Sequence, residues 1–169
     1  MQKQNSILTA DRLREILSYD PETGVLTWIA PISSRSKPGE PAGTITPLGY
    51  VRIGMFREQH LGHRLAWLHV YGKWPNGDLD HINGVRHDNR LVNLREATRS
   101  GNNQNIRAAR SDSAHGFLGA TWSKAAQKWR ASICVNRKQK TLGTFDSAEE
   151  AHAAYLKAKA ELHPYSTIT

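Results

Sequence analysis

The sequence predicts an α+β protein in two parts, a strand–loop–strand–helix unit followed by a three-stranded antiparallel sheet with one helix. Two observations predict the first part: residues 78–82 alternate between polar and apolar side chains, and the turn signal Asn83-Gly84 follows directly. A third observation predicts the second part. Three β-rich stretches separated by short turns precede a helix-capping pattern and a stripe of alanines.

Composition limits the classes of protein to consider. The chain has 169 residues, a formal net charge of +8 and 38% hydrophobic residues, which suits one domain or two small ones. It shows neither an apolar run of about 18 residues nor the layout of a signal peptide, so we expect a soluble cytoplasmic protein that does not bind membranes. The single cysteine, Cys134, excludes an intrachain disulfide and a cysteine-based zinc cluster.

The N-terminal stretch predicts two helices and two strands joined by a long loop. Thr9 is placed to cap the first helix, and Gly72 is placed to end the second. The predicted elements are a helix at 9–18, a turn at 20–24, a strand at 25–29, a Pro- and Gly-rich loop at 31–47 with no assigned structure, a strand at 50–53 and a helix at 63–71.

Two short strands and a helix are expected next. After the strand at 78–82, the apolar patch at 91–94 predicts a return strand, and the polar run at 98–110 predicts a helix. This order directs several polar side chains to one place. The small polar residues 111–116 are predicted to be a linker.

The C-terminal part predicts a meander backed by a helix. The strands are expected at 117–122, 128–135 and 140–145, and the helix is expected to begin at Ser147, with Glu150 completing a capping box, and to end before Pro164. The predicted core residues of this part are Phe117, Leu118, Ile133, Val135, Leu142, Phe145, Ala151 and Tyr155.

The positive charge is concentrated in one stretch. The sequence pI is about 9.9, and six cations without a compensating acid lie between residues 122 and 140, namely Lys124, Lys128, Arg130, Arg137, Lys138 and Lys140. Such a cluster attracts polyanions, so nucleic acid is the expected partner. The alternative is a basic surface that only keeps the protein in solution.

Residues 80–105 contain the groups that phosphodiester cleavage requires, which are a base to deprotonate water and oxygen ligands for a cation. Asp80 offers a carboxylate and His81 an imidazole, while amides follow at Asn93 and Asn102. Adjacent strand residues point to opposite faces. Asp80 and His81 would therefore need a local twist, bulge or loop to act on the same phosphate.

The blocks HRLAW (63–67), LDHINGVRHDNRLVNLREAT (79–98) and SGNNQN (100–105) resemble HNH nucleases of the phage and homing-endonuclease type. The resemblance has a motif core at 63–105 and implies a ββα-metal fold with one divalent ion, Mg²⁺ or Mn²⁺, per active site. It implies that Asp80 and Asn102 hold the metal and that His81 is the general base. Asn93 is implied to be structural, tying the loop to the return strand so that His81 is oriented.

Each of these residues has a simpler interpretation. Asp80 could belong only to the turn, His81 could be a partly buried strand histidine, and Asn102 has neighbouring amides at Asn103 and Asn105 that could replace it as the ligand. His63 is expected to be structural or to contact a phosphate. The remaining polar residues near the motif, His87, Asp88 and Asn89, are expected to be solvated loop.

The C-terminal blocks GFLGATW (116–122) and LGTFDSAEEAHAAY (142–155) resemble an AP2 (integrase-like) DNA-binding domain. The resemblance implies a sheet laid in the DNA major groove. Its implied contacts are the six cations of residues 122–140 together with Trp122 and Trp129, and the alternative for Trp129 is core packing.

The sequence thus predicts a metal-dependent DNA endonuclease with an HNH module at 1–110 and an AP2-like module at 117–169. Double-stranded DNA is the expected partner, no organic cofactor is expected, and a monomer is favoured. One alternative is a DNA-binding transcriptional regulator whose nuclease site is vestigial. Another is an RNA-binding or RNA-cutting protein, because a basic surface does not select the sugar.

Overall fold

The computed structural model describes residues 8–30, 32–34, 36–106, 109, 116–164 and 166. The chain forms two compact units, the first ending at Ala97 and the second beginning at Thr98. The predicted linker at 111–116 lies outside the described residues except for Gly116.

The first unit contains two helices, a 3-10 turn and seven short strands among its described residues. The elements are α1 (Ala10–Ile16), β1 (Leu17–Tyr19), β2 (Leu26–Trp28), β3 (Thr44–Ile45), β4 (Val51–Met55), β5 (Glu58–Leu61), α2 (Gly62–Tyr71), β6 (Asp78–His81), the 3-10 turn (Leu91–Asn93) and β7 (Leu94–Ala97). The strands form three antiparallel sheets, β1-β2, β3-β4-β5 and β6-β7.

The helix ends of this unit follow the expected capping chemistry. The Thr9 hydroxyl accepts a hydrogen bond of 3.2 Å from the Arg12 N–H at the start of α1. Gly72 ends α2 in the left-handed region at φ 72°, which a residue with a Cβ adopts at a cost. The described part of the chain contains no helix long and apolar enough to cross a membrane.

Three expectations for the first unit are wrong in detail. The first helix does not reach residue 18, because Leu17 is already extended and pairs with Trp28 across β1 and β2. Strand β5 was not expected, since the turn before it uses Phe56 and Arg57 at positive φ instead of a glycine. The patch at 91–94 is mostly the 3-10 turn, and the return strand begins only at Leu94.

The core of the first unit lies where α1 packs on α2 and α2 packs on β4 and β5. Its buried side chains come from the helices and the first strands, which leaves the β6-β7 hairpin largely outside it. The core residues are Leu8, Ala10, Leu13, Ile16, Leu17, Leu26, Trp28, Ala42, Ile53, Met55, Leu65 and Leu68.

The second unit contains α3 (Arg99–Gln104), β8 (Ala120–Ser123), β9 (Lys128–Val135), β10 (Lys138–Phe145) and α4 (Ala148–Leu162). The strands form one antiparallel sheet in the order β8-β9-β10, and α4 packs on all three. The Ser147 hydroxyl caps α4 by accepting from the Glu150 N–H at 3.1 Å. The expected three strands and single helix are present in this part, within a mixed α/β protein of several small sheets.

The ends of these elements differ from the expectation in places. The first strand begins at Ala120 instead of residue 117, and the helix expected at 98–110 is observed over Arg99–Gln104. Residues 107, 108 and 110 of that prediction lie outside the described part of the chain. Of the eight predicted core residues, Ile133 and Ala151 are fully buried and the others are partly buried.

Candidate active site

The carboxylate of Asp80 is buried and paired with an arginine. Asp80 is 6% exposed and lies opposite Arg95 in the register of β6 and β7. The Arg95 Nε and Nη2 donate to Asp80 Oδ2 at 2.9 and 2.7 Å. Because two charge-assisted bonds hold one of its oxygens, the carboxylate has a defined orientation.

His81 is the next residue and has a different set of partners. It is 5% exposed, and its Nε2 lies 3.3 Å from Asn89 Oδ1. Burial lowers the pKa of His81, while the hydrogen bond with Asn89 and the charge of Asp80 act in the opposite direction. The β6-β7 register has no bulge, but His81 ends β6 and its carbonyl accepts from the Gly84 N–H at 2.9 Å, so the turn begins at this residue.

The loop after His81 is held by two asparagine side chains. Asn93 Oδ1 accepts from the Asn83 N–H at 2.8 Å, and Asn93 Nδ2 donates to the Asp88 carbonyl at 2.8 Å. Asn83 donates in turn from Nδ2 to Asp88 Oδ2 at 2.7 Å. Asn93 therefore contacts the loop at two points, and its own carbonyl accepts from the Ile82 N–H at 2.8 Å next to His81.

Two residues expected to be solvated are in fact part of this structure. Asn89 is 3% exposed, and Asp88 is half-buried and receives two bonds from Arg90 at 2.7 and 2.6 Å. Those bonds lower the pKa of Asp88 to about 2. His87 is exposed as expected. The pattern Asp88-Asn89 before the return strand was the available signal for a folded loop, because both residue types bond to nearby backbone.

The backbone of Asn89 is fixed by the β1-β2 hairpin. The Tyr19 hydroxyl donates to the Asn89 carbonyl at 3.0 Å and accepts from the Leu91 N–H at 3.2 Å. Gly24, at φ 72°, approaches the Asn89-Arg90 peptide so closely that a Cβ there would lie 2.5 Å from the Arg90 nitrogen. A side chain at position 24 would push the loop away from the hairpin.

A cluster of rings surrounds His81. His63 on α2 lies edge-on to His81 with 5.0 Å between ring centroids, and Tyr50 lies 5.5 Å from His63 and 6.0 Å from His81. His63 is 5% exposed, and burial lowers its pKa to about 3, so it is neutral at pH 7. Its Nδ1 has no hydrogen-bond partner among the described residues.

A cation is fixed beside the same rings. The guanidinium carbon of Arg86 lies 5.1 Å from the Tyr50 ring centroid, and its Nη1 donates to the Leu48 carbonyl at 2.9 Å. Sequence reasoning did not select Arg86. Its position beside the rings depends on Tyr50, which is 36 positions away in the chain, so the pattern around the motif could not have shown it.

Asn102 lies on α3, half-buried, in the second unit. The Thr98 hydroxyl caps α3 by accepting from the Gly101 N–H at 3.1 Å. Of the two neighbouring amides, Asn103 is exposed and Asn105 is buried at the helix end. Only Asp80, His81, Asn93 and His63 of the expected nuclease residues are described within the first unit.

The carboxylate of Asp80 is a ligand of the kind that suits a hard divalent cation which keeps most of its water. Within the described residues, no group of three or more His, Cys, Asp or Glu side chains could hold a metal. Mg²⁺ is commonly held by one or two carboxylates together with water and substrate phosphate. Asp80 supplies such a carboxylate, with one oxygen already held by Arg95.

The eight residues expected to contact DNA lie on three surfaces of the second unit. Ala131 and Ile133 of β9 are 0% and 2% exposed, and because side chains alternate along a strand, they define the face toward α4. Lys128 and Arg130 have the opposite parity and lie on the open face. By the same alternation, four of the residues lie on the side of the sheet that faces α4, namely Trp122, Trp129, Lys138 and Lys140. The last two, Lys124 and Arg137, lie in the hairpin turns.

The two tryptophans contact each other. Trp122 pairs with Trp129 across β8 and β9, with 5.5 Å between ring centroids. Trp122 remains 37% exposed, whereas Trp129 is partly buried. Among the cations, Lys128 is paired with Asp146 at 2.9 Å.

Comparison with known proteins relates the segment that contains Asp80 and His81 to a known family. A sequence model of the HNH endonuclease family matches residues 60–104, which include β6, the loop, β7 and α3. Protein 3.8 of Escherichia phage T7 is 31% identical over 102 residues, which cover 60% of this chain and 83% of the phage protein. No solved structure matches the chain with statistical significance. The chain therefore belongs to the family of the phage T7 Protein 3.8 and carries an HNH endonuclease domain at residues 60–104.

Proposed function

We propose that the protein is a metal-dependent endonuclease that hydrolyses phosphodiester bonds in double-stranded DNA. The observation that carries this proposal is the buried pair Asp80-His81 at the end of β6, inside the segment that the HNH family matches. The phage relative supports a phage-encoded enzyme. The proposed enzyme is a homing-type or other phage HNH nuclease that acts in the cytoplasm of a bacterial host. A monomer without an organic cofactor is part of the proposal.

His81 is the proposed general base. Its lowered pKa keeps the imidazole neutral at pH 7, so that a ring nitrogen has a lone pair to accept a proton from water. The contacts with Asn89 and with the ring of His63 hold the imidazole in one orientation. Asn93 supports this geometry by tying the loop that begins at His81.

Asp80 and Asn102 are the proposed ligands of one Mg²⁺ or Mn²⁺ ion. When bound, the ion would stabilise negative charge on the phosphate and the leaving oxygen. Arg95 orients the Asp80 carboxylate through Oδ2. This assignment keeps α3 with the nuclease module at 1–110 and the module boundary at 111–116, although the compact units divide between Ala97 and Thr98.

Arg86 is a proposed contact for the phosphate group. Its guanidinium lies over Tyr50, whose ring is also next to His81, and the Leu48 carbonyl fixes its direction. A planar cation held in this way is suited to bind phosphate oxygens. Because the bond and the ring already restrain Arg86, little side-chain entropy would be lost when DNA binds.

The second unit is proposed to supply DNA affinity as an AP2-like module. Its open sheet face carries Arg130 and Lys128, and its hairpin turns carry Lys124 and Arg137. A two- or three-stranded sheet can enter the major groove, where base edges differ. Residues on the α4 face, which include Lys138 and Lys140, would reach only the sides of such a groove.

The test is cleavage of supercoiled plasmid by the full chain, with Mg²⁺ and with a chelator, for wild type, His81→Ala and Asp80→Asn. The matched control is His87→Ala, which removes an exposed histidine from the same loop. Relaxed or linear product that requires the metal, His81 and Asp80 but not His87 is the expected result. The form of the product would also distinguish nicking from cutting of both strands.

One observation favours the second candidate, a DNA-binding regulator with a vestigial site. The Asp80 carboxylate is already paired with Arg95 in a buried position, which is an arrangement that can replace a metal ion. Calorimetric titration with Mn²⁺ separates the two functions. The nuclease requires weak binding that Asp80→Asn removes, whereas a regulator would bind DNA without binding Mn²⁺ at this residue.

A further inference from the structure

The contact between His81 and Asn89 joins two buried side chains. They are 5% and 3% exposed, and His81 Nε2 lies 3.3 Å from Asn89 Oδ1. A neutral imidazole carries its proton on only one nitrogen, and an amide oxygen can only accept. The contact is therefore a hydrogen bond only when the proton is on Nε2.

We propose that Asn89 is a positioning residue that holds neutral His81 in the Nε2–H tautomer and so presents the lone pair of Nδ1 to the attacking water. This proposal rests on the proposed nuclease function and adds a residue to it. The bond made by one ring nitrogen determines which form the other takes. The asparagine neither contacts the substrate nor takes a proton in the reaction.

This assignment of the two ring nitrogens accounts for each proton transfer in the reaction. A water molecule gives a proton to Nδ1 while its oxygen forms a bond to phosphorus, and the bond from phosphorus to the leaving ester oxygen breaks. The leaving oxygen then takes a proton from solvent, and the imidazolium releases its proton to solvent. Throughout, Nε2–H stays bonded to Asn89, so the same nitrogen accepts in each turnover.

The surroundings of Asn89 are built to keep it in place. Tyr19 bonds to the carbonyl of Asn89 and to the N–H of Leu91, and Gly24 allows the β1-β2 hairpin to lie against the following peptide. Asp88, on the other side, is fixed by Arg90. The N-terminal hairpin thus determines the position of a loop 70 residues later in the chain.

The chain contains internal references for both tautomers. His69 Nε2 and His163 Nε2 lie 3.1 and 2.9 Å from the carbonyls of Leu17 and Cys134, so each must carry its proton on Nε2. His152 Nδ1 lies 2.8 Å from the Leu118 carbonyl and must carry its proton there. The nitrogen chemical shifts of the two neutral forms differ and can be compared within one spectrum.

The experiment is nitrogen-15 NMR of the full chain labelled at histidine, without metal, at about pH 8.5, where ordinary imidazoles are neutral. In wild type we expect His81 to show the pattern of His69 and His163. In Asn89→Ala we expect a mixture of both forms, and in Asn89→Asp we expect Nε2–H to be retained because a carboxylate oxygen also accepts. A wild-type His81 with the pattern of His152 would overturn the proposal.

Cleavage kinetics supply the second measurement. We expect Asn89→Ala to lower kcat about 10- to 100-fold with KM within about twofold, and Asn89→Asp to recover most of kcat. Equal loss in both variants with an unchanged His81 spectrum would contradict a positioning role. If Asn89→Ala does not fold, Tyr19→Phe, which removes the two hydroxyl bonds beside Asn89, must shift the His81 spectrum in the same direction.

The two hypotheses fail in different ways. A wild-type protein that cuts no DNA would reject the nuclease, while its metal-free spectrum would still decide the tautomer. A wild-type protein that cuts DNA with His81 in the Nδ1–H form would reject the role of Asn89 and leave the nuclease intact.

Discussion

The loop between β6 and β7 and the sheet of the second unit both carry polar side chains, but they use them differently. In the loop, Asn83, Asp88 and Asn93 bond to each other or to nearby backbone and are at least partly buried. On the sheet, the cations are exposed, and the ion pair of Lys128 with Asp146 joins two groups that are 48% and 83% exposed. A buried network holds atoms in fixed positions, as chemistry requires, whereas exposed charges mainly increase affinity.

The largest expected effect comes from removing His81, the residue at which the loop begins. His81→Ala removes the proposed base and should lower the cleavage rate about 100- to 10,000-fold, while the dissociation constant for uncut DNA changes less than about threefold. Plasmid cleavage and fluorescence anisotropy measure the two quantities. A variant that cuts as well as wild type would exclude His81 from the chemistry.

The next effect concerns acid stability and His63. Its pKa is about 3 in the fold and 6.5 ordinarily, so between these values the unfolded chain binds the additional proton and the free energy of unfolding falls as the pH falls. Within that window, protonation of this residue in the unfolded chain lowers the free energy of unfolding by about 1.4 kcal/mol for each pH unit of acidification. Above pH 6.5 this residue causes no such loss.

Urea unfolding of wild type and His63→Gln at several pH values would measure this contribution. We expect the variant to lose less stability than wild type on acidification, because glutamine does not titrate. Parallel curves for the two proteins between pH 6.5 and about 4 would contradict a buried, neutral His63.

Loss of Asn93 should have a smaller effect on stability. Asn93→Ala leaves the Asn83 N–H and the Asp88 carbonyl without their partner and should lower the free energy of unfolding by about 2 to 3 kcal/mol. Asn105→Ala, which removes another buried asparagine at the end of α3, is a control for the general cost of such a change. We expect Asn93→Ala also to reduce the cleavage rate of the folded protein, because the loss of its bonds disturbs His81.

The smallest effects are expected for single cations on the sheet of the second unit. Lys124→Ala, in a hairpin turn, should weaken binding to all DNA sequences about equally and lower the salt slope by about one. Arg130→Ala, on the open face, should change sequence preference by about 1 to 3 kcal/mol at some positions. Lys140→Ala is the matched control, because Lys140 lies on the side of the sheet that faces α4.

Binding measured against a small panel of duplexes at several salt concentrations distinguishes these outcomes. If Arg130→Ala and Lys124→Ala shift every duplex equally, the separation of base-reading and phosphate-binding cations would be wrong. Competition with duplex RNA in the same assay tests whether DNA is the preferred partner.

Local patterns in the sequence determined much of what is observed. Thr9 and Ser147 cap helices, Gly72 ends one, and the strand expected at 128–135 has those bounds. Each of these features depends on residues close together in the chain, so periodicity and capping chemistry were enough to predict it. The same holds for the order of residues from Asp80 to Asn102, which led to the HNH resemblance.

Other features depend on partners that are distant in the chain, and these became visible only in the folded protein. Leu17 leaves the helix because Trp28 pairs with it, and Asn89 is buried because Tyr19 and Gly24 lie against its backbone. The division of the DNA-binding candidates between two faces of the sheet follows from strand register and from the side that α4 covers. Burial and register are properties of pairs of segments, and a pattern within one segment does not contain them.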